Sequence, residues 1–426
     1  MDCRVFSKDF WCSATLTEIG FLWSVFFAPW GPVLRYFGWL LALIGIAFEL
    51  YSKHVPKLKL HLFVKAALLF TLLWGIVVTF VRQPDLYLFI KGYSLAVEFA
   101  FSIWLAARLF SEQMLKKFWA VFSISIVLVV AQTFLNFLQD KNFAGLFSNI
   151  NTLGIYGVIV LPFALSRAFV KYGFLSLLLS IAVLLIVCLS SSSAAWITSA
   201  CSIFLMVLLG GRKYLSRAFI LGVSFVLVFV FVWGVLSKFD PKLASGFESY
   251  MRRELAQIAS FDNPTKFTSN RSSLWRGAVV LIRESPLSGW GWGEFSEPFE
   301  KLNGDWWKKE KIVGSIKHQS DAHNMYLNLA VYGGAPTMVA VVALFLFTAC
   351  RALAFYRKNV ANFGWFWLAA CVLISSQLVY SFAGDIFSAR NTFACTFWYL
   401  MGFVSVKNWT DQSSDKNNLR CDEAKN

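Results

Sequence analysis

The sequence predicts an all-α polytopic membrane protein of about twelve transmembrane helices, with one large loop outside the cytoplasm that contains short helices. Three observations predict it. Of 426 residues, 58% are hydrophobic and only 15% are charged, against about 45–50% apolar and about 25% charged in soluble domains. Apolar runs recur that match the roughly 20 residues needed to cross about 30 Å of hydrocarbon. Basic residues gather in every second connector, the pattern expected when Lys and Arg stay on the cytoplasmic side. The first observation alone excludes an ordinary soluble enzyme.

The spans read as Leu16–Trp30, Tyr36–Tyr51, Leu62–Val81, Tyr87–Phe110, Phe118–Leu138 and Thr152–Val170 in the first part of the chain. Phe174–Ser190, Ala194–Gly210, Ala218–Ser237, Met325–Cys350, Phe363–Ala383 and Thr392–Val406 complete the set. Alternate connectors carry Lys53, Lys57 and Lys59; Arg108, Lys116 and Lys117; Arg167 and Lys171; Arg212, Lys213 and Arg217; and Arg351, Arg357 and Lys358. The intervening short connectors hold only Arg35, Arg82, Lys141 and Arg390. Both termini are then cytoplasmic. The first apolar run follows Met1–Trp11 with no small-residue cleavage signal, so it is expected to be a retained span.

The resulting organisation is a membrane domain over 1–237, a large loop over 238–322, the last three spans over 323–406 and a polar cytoplasmic tail over 407–426. The loop carries 13 Lys and Arg against 11 Asp and Glu, and long loops translocate whatever their charge. The net charge of +15 thus sits largely on the cytoplasmic face, where anionic membrane lipids attract it. Nucleic acid is the poorer partner. Eight Cys without a CxxC spacing read as small core residues rather than a disulfide framework or zinc site.

Within the loop, Leu274, Trp275, Ala278, Val279, Leu281 and Ile282 recur at helical spacing. This predicts a helix over Ser273–Glu284, capped by Ser272 or Ser273 and followed by Pro286. Gly289-Trp-Gly-Trp-Gly-Glu-Phe295 reads as a glycine–aromatic turn; with no strand before it and no helix directly after, it is not a dinucleotide fingerprint.

Four His occur: His54, His61, His318 and His323. His323 stands at the outer mouth of the tenth span, in Asp321-Ala-His-Asn-Met-Tyr-Leu-Asn-Leu-Ala-Val-Tyr-Gly-Gly334. An imidazole there can accept or donate a proton near neutral pH, or it can simply cap the span; Asp321 and Asn324 beside it favour the first modestly. No ligand spacing suggests a metal and no cofactor is implied. Ser190–Ser193 lacks a nucleophile elbow and reads as a tight hairpin. Arg271, Arg276 and Arg283 lie in or beside the loop helix. Arg271 stands at its N-terminus, where guanidinium and free amides would act on one anion; the other two read equally as a solvated basic face.

These stretches resemble the bacterial O-antigen ligases and their polymerase superfamily. His323-Asn324, nine residues and then Gly334 is similar to that family's His-Asn-x9-Gly signature. Asn270-Arg-Ser-Ser-Leu-Trp-Arg276, with Pro286-Leu-Ser-Gly-Trp-Gly-Trp-Gly293, resembles its Arg…Trp…Pro-Leu-x-Gly-x-Gly run. Ser148-Asn-Ile-Asn-Thr-Leu-Gly154 resembles its Asn-Pro-Asn segment.

The resemblance implies a metal-independent glycosyltransferase of the bacterial inner membrane. It would move a polysaccharide from an undecaprenyl-diphosphate-linked glycan donor to a sugar hydroxyl of a lipid A–core acceptor, at the periplasmic loop. His323 and Arg271 are then the expected catalytic residues, with Arg276, Arg283, Asn324, Asn151, Asp321 and Tyr326 binding substrate. The sequence departs from the family at Asn149-Ile-Asn151 and at Ser192-Ser193, where relatives often carry Ser-Arg, so a diphosphate-binding arginine is absent or supplied by the long loop. A polymerase or a protein O-oligosaccharyltransferase of the same superfamily is the alternative; the short C-terminal tail favours the ligase. A lipid-linked sugar transporter fits less well, because few charges (Glu49, Lys91 and Glu98) fall within the spans.

Overall fold

The computed structural model describes residues 14–53, 60–82, 86–140, 144–147, 149–171, 173–260, 262–263, 267–269, 271–310, 312, 316, 319–358, 363–387 and 393–407. His54, Lys57, Lys59, Lys141, Ser148, Asn270, His318, Arg390 and the tail after Lys407 lie outside them.

The described chain is helical, with no β-strand among the described residues. Among the described residues nine α-helices precede the long polar segment: α1 (Leu16–Phe27), α2 (Pro32–Tyr51), α3 (Leu62–Arg82), α4 (Leu86–Arg108), α5 (Glu112–Asp140), α6 (Ile150–Lys171), α7 (Phe174–Leu189), α8 (Ser193–Gly210) and α9 (Arg212–Phe239). The polar segment folds into α10 (Pro241–Ile258), α11 (Arg271–Glu284) and α12 (Ser296–Lys309). The chain returns through α13 (Met325–Arg357), α14 (Gly364–Tyr380) and α15 (Ala394–Val404). Each predicted span overlaps a helix, the first ending in a 3-10 turn at Ala28–Trp30 and the tenth broken at Gly333–Gly334. Seven of these helices are long and apolar enough to cross a membrane, namely α2, α3, α5, α6, α8, α9 and α13, and α7, α14 and α15 are shorter apolar helices.

A helix that is apolar all round is buried in protein or in lipid, and both cases occur. α6, α14 and α15 form the centre, with nearly every described side chain buried. α9 is the opposite extreme, presenting Phe219, Leu227, Val230 and Phe231 outward along its length. Three cations within the helices are paired. Arg35, read from the sequence as a connector charge, is instead buried within α2 and bonds Glu98 of α4 at 3.2 Å. Arg108 meets Glu49 at 2.7 Å and Lys117 meets Glu18 at 2.9 Å. The cysteines divide: Cys371 and Cys395 are buried, whereas Cys350 is exposed on α13.

The polar segment does not hang free. α10 starts from an Asp240 cap, whose carboxylate accepts the Leu243 amide at 3.0 Å, with Pro241 in the first turn. α11 begins two residues earlier than predicted, because Thr268 rather than Ser272 or Ser273 takes the first amides: its carbonyl accepts from Arg271 and its hydroxyl from Ser272. The glycine–aromatic turn is a buried brace. α13 breaks at Gly333–Gly334, which frees the carbonyls of Val331 and Tyr332 to accept the amides of Trp290 (2.7 Å) and Gly291 (2.9 Å). Gly334 has φ +75° and ψ 177°, a conformation open essentially to glycine alone, and any Cβ there would strike the Leu287 carbonyl. The closing residue of the His-Asn-x9-Gly pattern therefore docks the polar segment onto the bundle. Trp292, fully buried, seats its backbone amide on the Thr79 hydroxyl of α3 at 3.1 Å.

Candidate functional site

His323 occupies a turn that ends where α13 begins. Its φ is +49°, which costs a non-glycine residue about 1–3 kcal/mol unless neighbours impose it. Asp321 imposes it: its Oδ1 accepts the His323 amide at 2.6 Å, closing an Asx-type turn. The same oxygen lies 2.8 Å from the imidazole Nδ1. With Nδ1–H committed to Asp321, the lone pair falls on Nε2 of a half-exposed ring. Asn324 caps α13, its side-chain oxygen accepting the Leu327 amide at 3.1 Å while its nitrogen donates to the Phe382 carbonyl.

The loop after α14, residues 381–387, ties this turn to the rest. The Met325 amide donates to the carbonyls of Ser381 and Gly384, and Arg271 donates to the Ala383 carbonyl. Behind them, Asn328 donates to the Asp385 carboxylate at 2.6 Å and accepts the Ala322 amide at 2.8 Å. Trp275 of α11 donates to the Ala322 carbonyl at 3.1 Å, so α11, the His323 turn and the α14 loop are one hydrogen-bonded unit. Burial, with the Asp321 charge nearby, pushes Asp385 up to about 7.

His323 and Arg271 line one open cavity of about 820 Å³. Its walls come from the start of α6 (Ile150, Asn151), the start of α8 (Ser192, Ser193, Ala194) and α10 (Arg253, Glu254, Ala256, Gln257, Ser260). Ser269, Leu274, Trp307, Ile312 and Gln319 complete it. Asn151 reaches the cavity because Asn149 caps α6, accepting the Asn151 amide at 2.8 Å, and because Gly154 lets α6 close onto the α7–α8 hairpin. A Cβ on Gly154 would lie 3.0 Å from Ala195 and 3.2 Å from Ser190. Glu254, buried, accepts the Ser193 amide at 3.1 Å and so caps α8.

Of the predicted site residues, the structure brings together His323, Asp321, Arg271 and Asn151. Asn324 sits beneath them as a helix cap. Tyr326 points elsewhere, donating to the Leu378 carbonyl at 2.6 Å. Arg276 does not face the cavity: it is exposed, bonds Glu310 at 2.9 Å and lies over the Trp306 ring. Arg283 is exposed on α11 and is not among the cavity walls. Sequence reasoning missed Arg253, Glu254, Gln257, Asn328 and Asp385. For α10 a signal existed, the Asp240-Pro241 start followed by an amphipathic run; for Asp385 there was none. The serines of the hairpin, read only as a turn, also line the cavity. Among the described residues no three His, Cys, Asp or Glu side chains group as metal ligands would.

An apolar groove of about 360 Å³ lies alongside, between α5, α7, α9 and α10. It is lined by Phe134, Phe137, Leu189, Phe229, Trp233 and Phe247 among others. The same elements serve both: Leu189 of the groove ends the helix that leads to Ser192–Ser193 of the cavity, and α10 gives Phe247 to the groove and Arg253 to the cavity.

These features define a multi-pass membrane protein in which short helices close a polar, arginine-bearing cavity over the ends of apolar ones. Residues 175–342 match the family model of the O-antigen ligases, the family that the motifs resemble, and the matched region holds Arg271, His323 and Gly334. No curated protein matches the chain.

Proposed function

We propose that the protein is an inner-membrane glycosyltransferase that transfers a glycan from undecaprenyl diphosphate to a sugar hydroxyl of a lipid A–core acceptor on the periplasmic face. The observation that carries this reading is the shared cavity: an imidazole held by a carboxylate and an arginine at a helix start, facing one space. Arg271 and Arg253 receive the diphosphate. Arg253 takes the place of the hairpin arginine of relatives, since Ser192 and Ser193 stand at that hairpin here. His323 Nε2 takes the proton of the acceptor hydroxyl as its oxygen attacks the anomeric carbon. The anomeric C–O bond breaks with its electrons passing to the diphosphate, whose growing charge the Arg271 guanidinium neutralises, while Arg253 holds the donor. The polyprenyl chain lies in the apolar groove, and the acceptor enters from the open side.

In this reading all twelve predicted spans cross the membrane, the segment 238–322 is periplasmic, and both termini are cytoplasmic. The test is deletion of the gene followed by surface-lipid analysis and complementation. Core lipid without polymer, with long carrier-linked chains accumulating, is the expected outcome. Core lipid capped by single repeats would identify a polymerase instead.

A further inference from the structure

Asp385 is a buried carboxylate that lies outside the cavity and takes no part in the chemistry described above. Its relative exposure is 4%, and that of Asn328 beside it is 0%. One oxygen accepts the Phe387 amide at 2.8 Å, the other the Asn328 side chain at 2.6 Å. Asn328 passes the connection on by accepting the Ala322 amide at 2.8 Å. Ala322 is the middle residue of the Asp321–His323 turn, so two hydrogen bonds run from Asp385 to the backbone that sets His323 at φ +49°.

We propose that Asp385 is a positioning residue for His323, acting through Asn328 on the Asp321–His323 turn. The proposal rests on the reading of His323 as the proton acceptor. Its physical basis is that a turn in the left-handed region relaxes once its clamps are removed, and that a misplacement of about 1 Å can cost about 100-fold in rate. Asp321 and His323 both act electrostatically on Asp385, the first disfavouring and the second favouring its ionised form, and Arg271 of α11 is anchored two residues away on Ala383.

The experiment uses the full-length protein in vesicles, a synthetic polyprenyl-diphosphate-linked sugar as donor and core lipid as acceptor. Asp385→Asn, Asn328→Ala, the double variant and His323→Ala are compared. Asp385→Asn should lower kcat about 10–100-fold with KM within about twofold. The double variant should fall no further than the worse single one, both changes breaking the same relay. An unchanged kcat, a loss that appears in KM instead, or two losses that multiply would overturn the proposal. So would failure of both single variants to accumulate, since Asp385 would then hold the fold rather than His323. His323→Ala separates the two levels: if it stays active, the assigned function fails; if it is inactive while Asp385→Asn behaves as the parent, only the relay fails.

Discussion

Asp321 holds His323 twice, through one oxygen that accepts the backbone amide at 2.6 Å and lies 2.8 Å from the imidazole Nδ1. Backbone strain and side-chain orientation are thus set by the same carboxylate. Removing the imidazole should abolish its proton transfer without disturbing the helices, because the ring is half exposed and packs into no core. His323→Ala is expected to lower transfer by at least about 100-fold with normal membrane insertion, measured as polymer-bearing core lipid against protein level.

Arg271 is both a wall of the cavity and a donor to Ala383. Arg271→Ala should cost about 100–1,000-fold in turnover, the range for removing one donor to developing charge. Arg271→Lys should recover only part, because an ammonium lacks the planar fork that can hold a carbonyl and a phosphate together. Equal activity in all three proteins would refute the role.

Arg253 reaches the same cavity from α10 without touching the His323 turn. Its loss should weaken donor binding rather than chemistry. Arg253→Ala is expected to raise KM for the lipid-linked donor about 10-fold or more, the worth of a charged hydrogen bond, while kcat changes little. A fall in kcat with KM unchanged would contradict a binding role.

Gly334 carries the join between the polar segment and the bundle. Gly334→Ala forces a Cβ into the Leu287 carbonyl at a backbone angle that non-glycine residues avoid. A loss of at least about 2 kcal/mol is expected, read as a lowered unfolding temperature, with easier proteolysis between Lys238 and Ala322.

Asp385 supplies a pH dependence of stability. Its carboxyl is raised to about 7 in the folded protein, while the unfolded chain releases that proton near its usual value of about 4. Between these limits the native state binds the extra proton, so stability is highest at the acid end and falls as pH rises toward about 7. Asp385→Asn should flatten that slope in thermal unfolding curves taken from pH 5 to pH 8, and an unaltered slope would assign it to another group.

The apolar pattern by itself determined the helices: all twelve predicted spans overlap helices, because burial in lipid or in a crowded bundle selects for length and apolarity that composition records directly. The family resemblance, carried by the local motifs around them, singled out His323 and Arg271 as the expected catalytic pair. What tertiary structure alone decided is which loop residues converge. Arg276 and Arg283 share a helix with Arg271 yet turn away, because α11 offers one face to the cavity and gives its others to Glu310 and solvent. Arg253 arrives from a helix 18 residues earlier, and Asp385 from 62 residues beyond His323. Their roles come from hydrogen bonds across large sequence separations, which leave no local periodicity to read. The Gly333–Gly334 break likewise means nothing until the Trp290–Gly291 amides meet the carbonyls it releases.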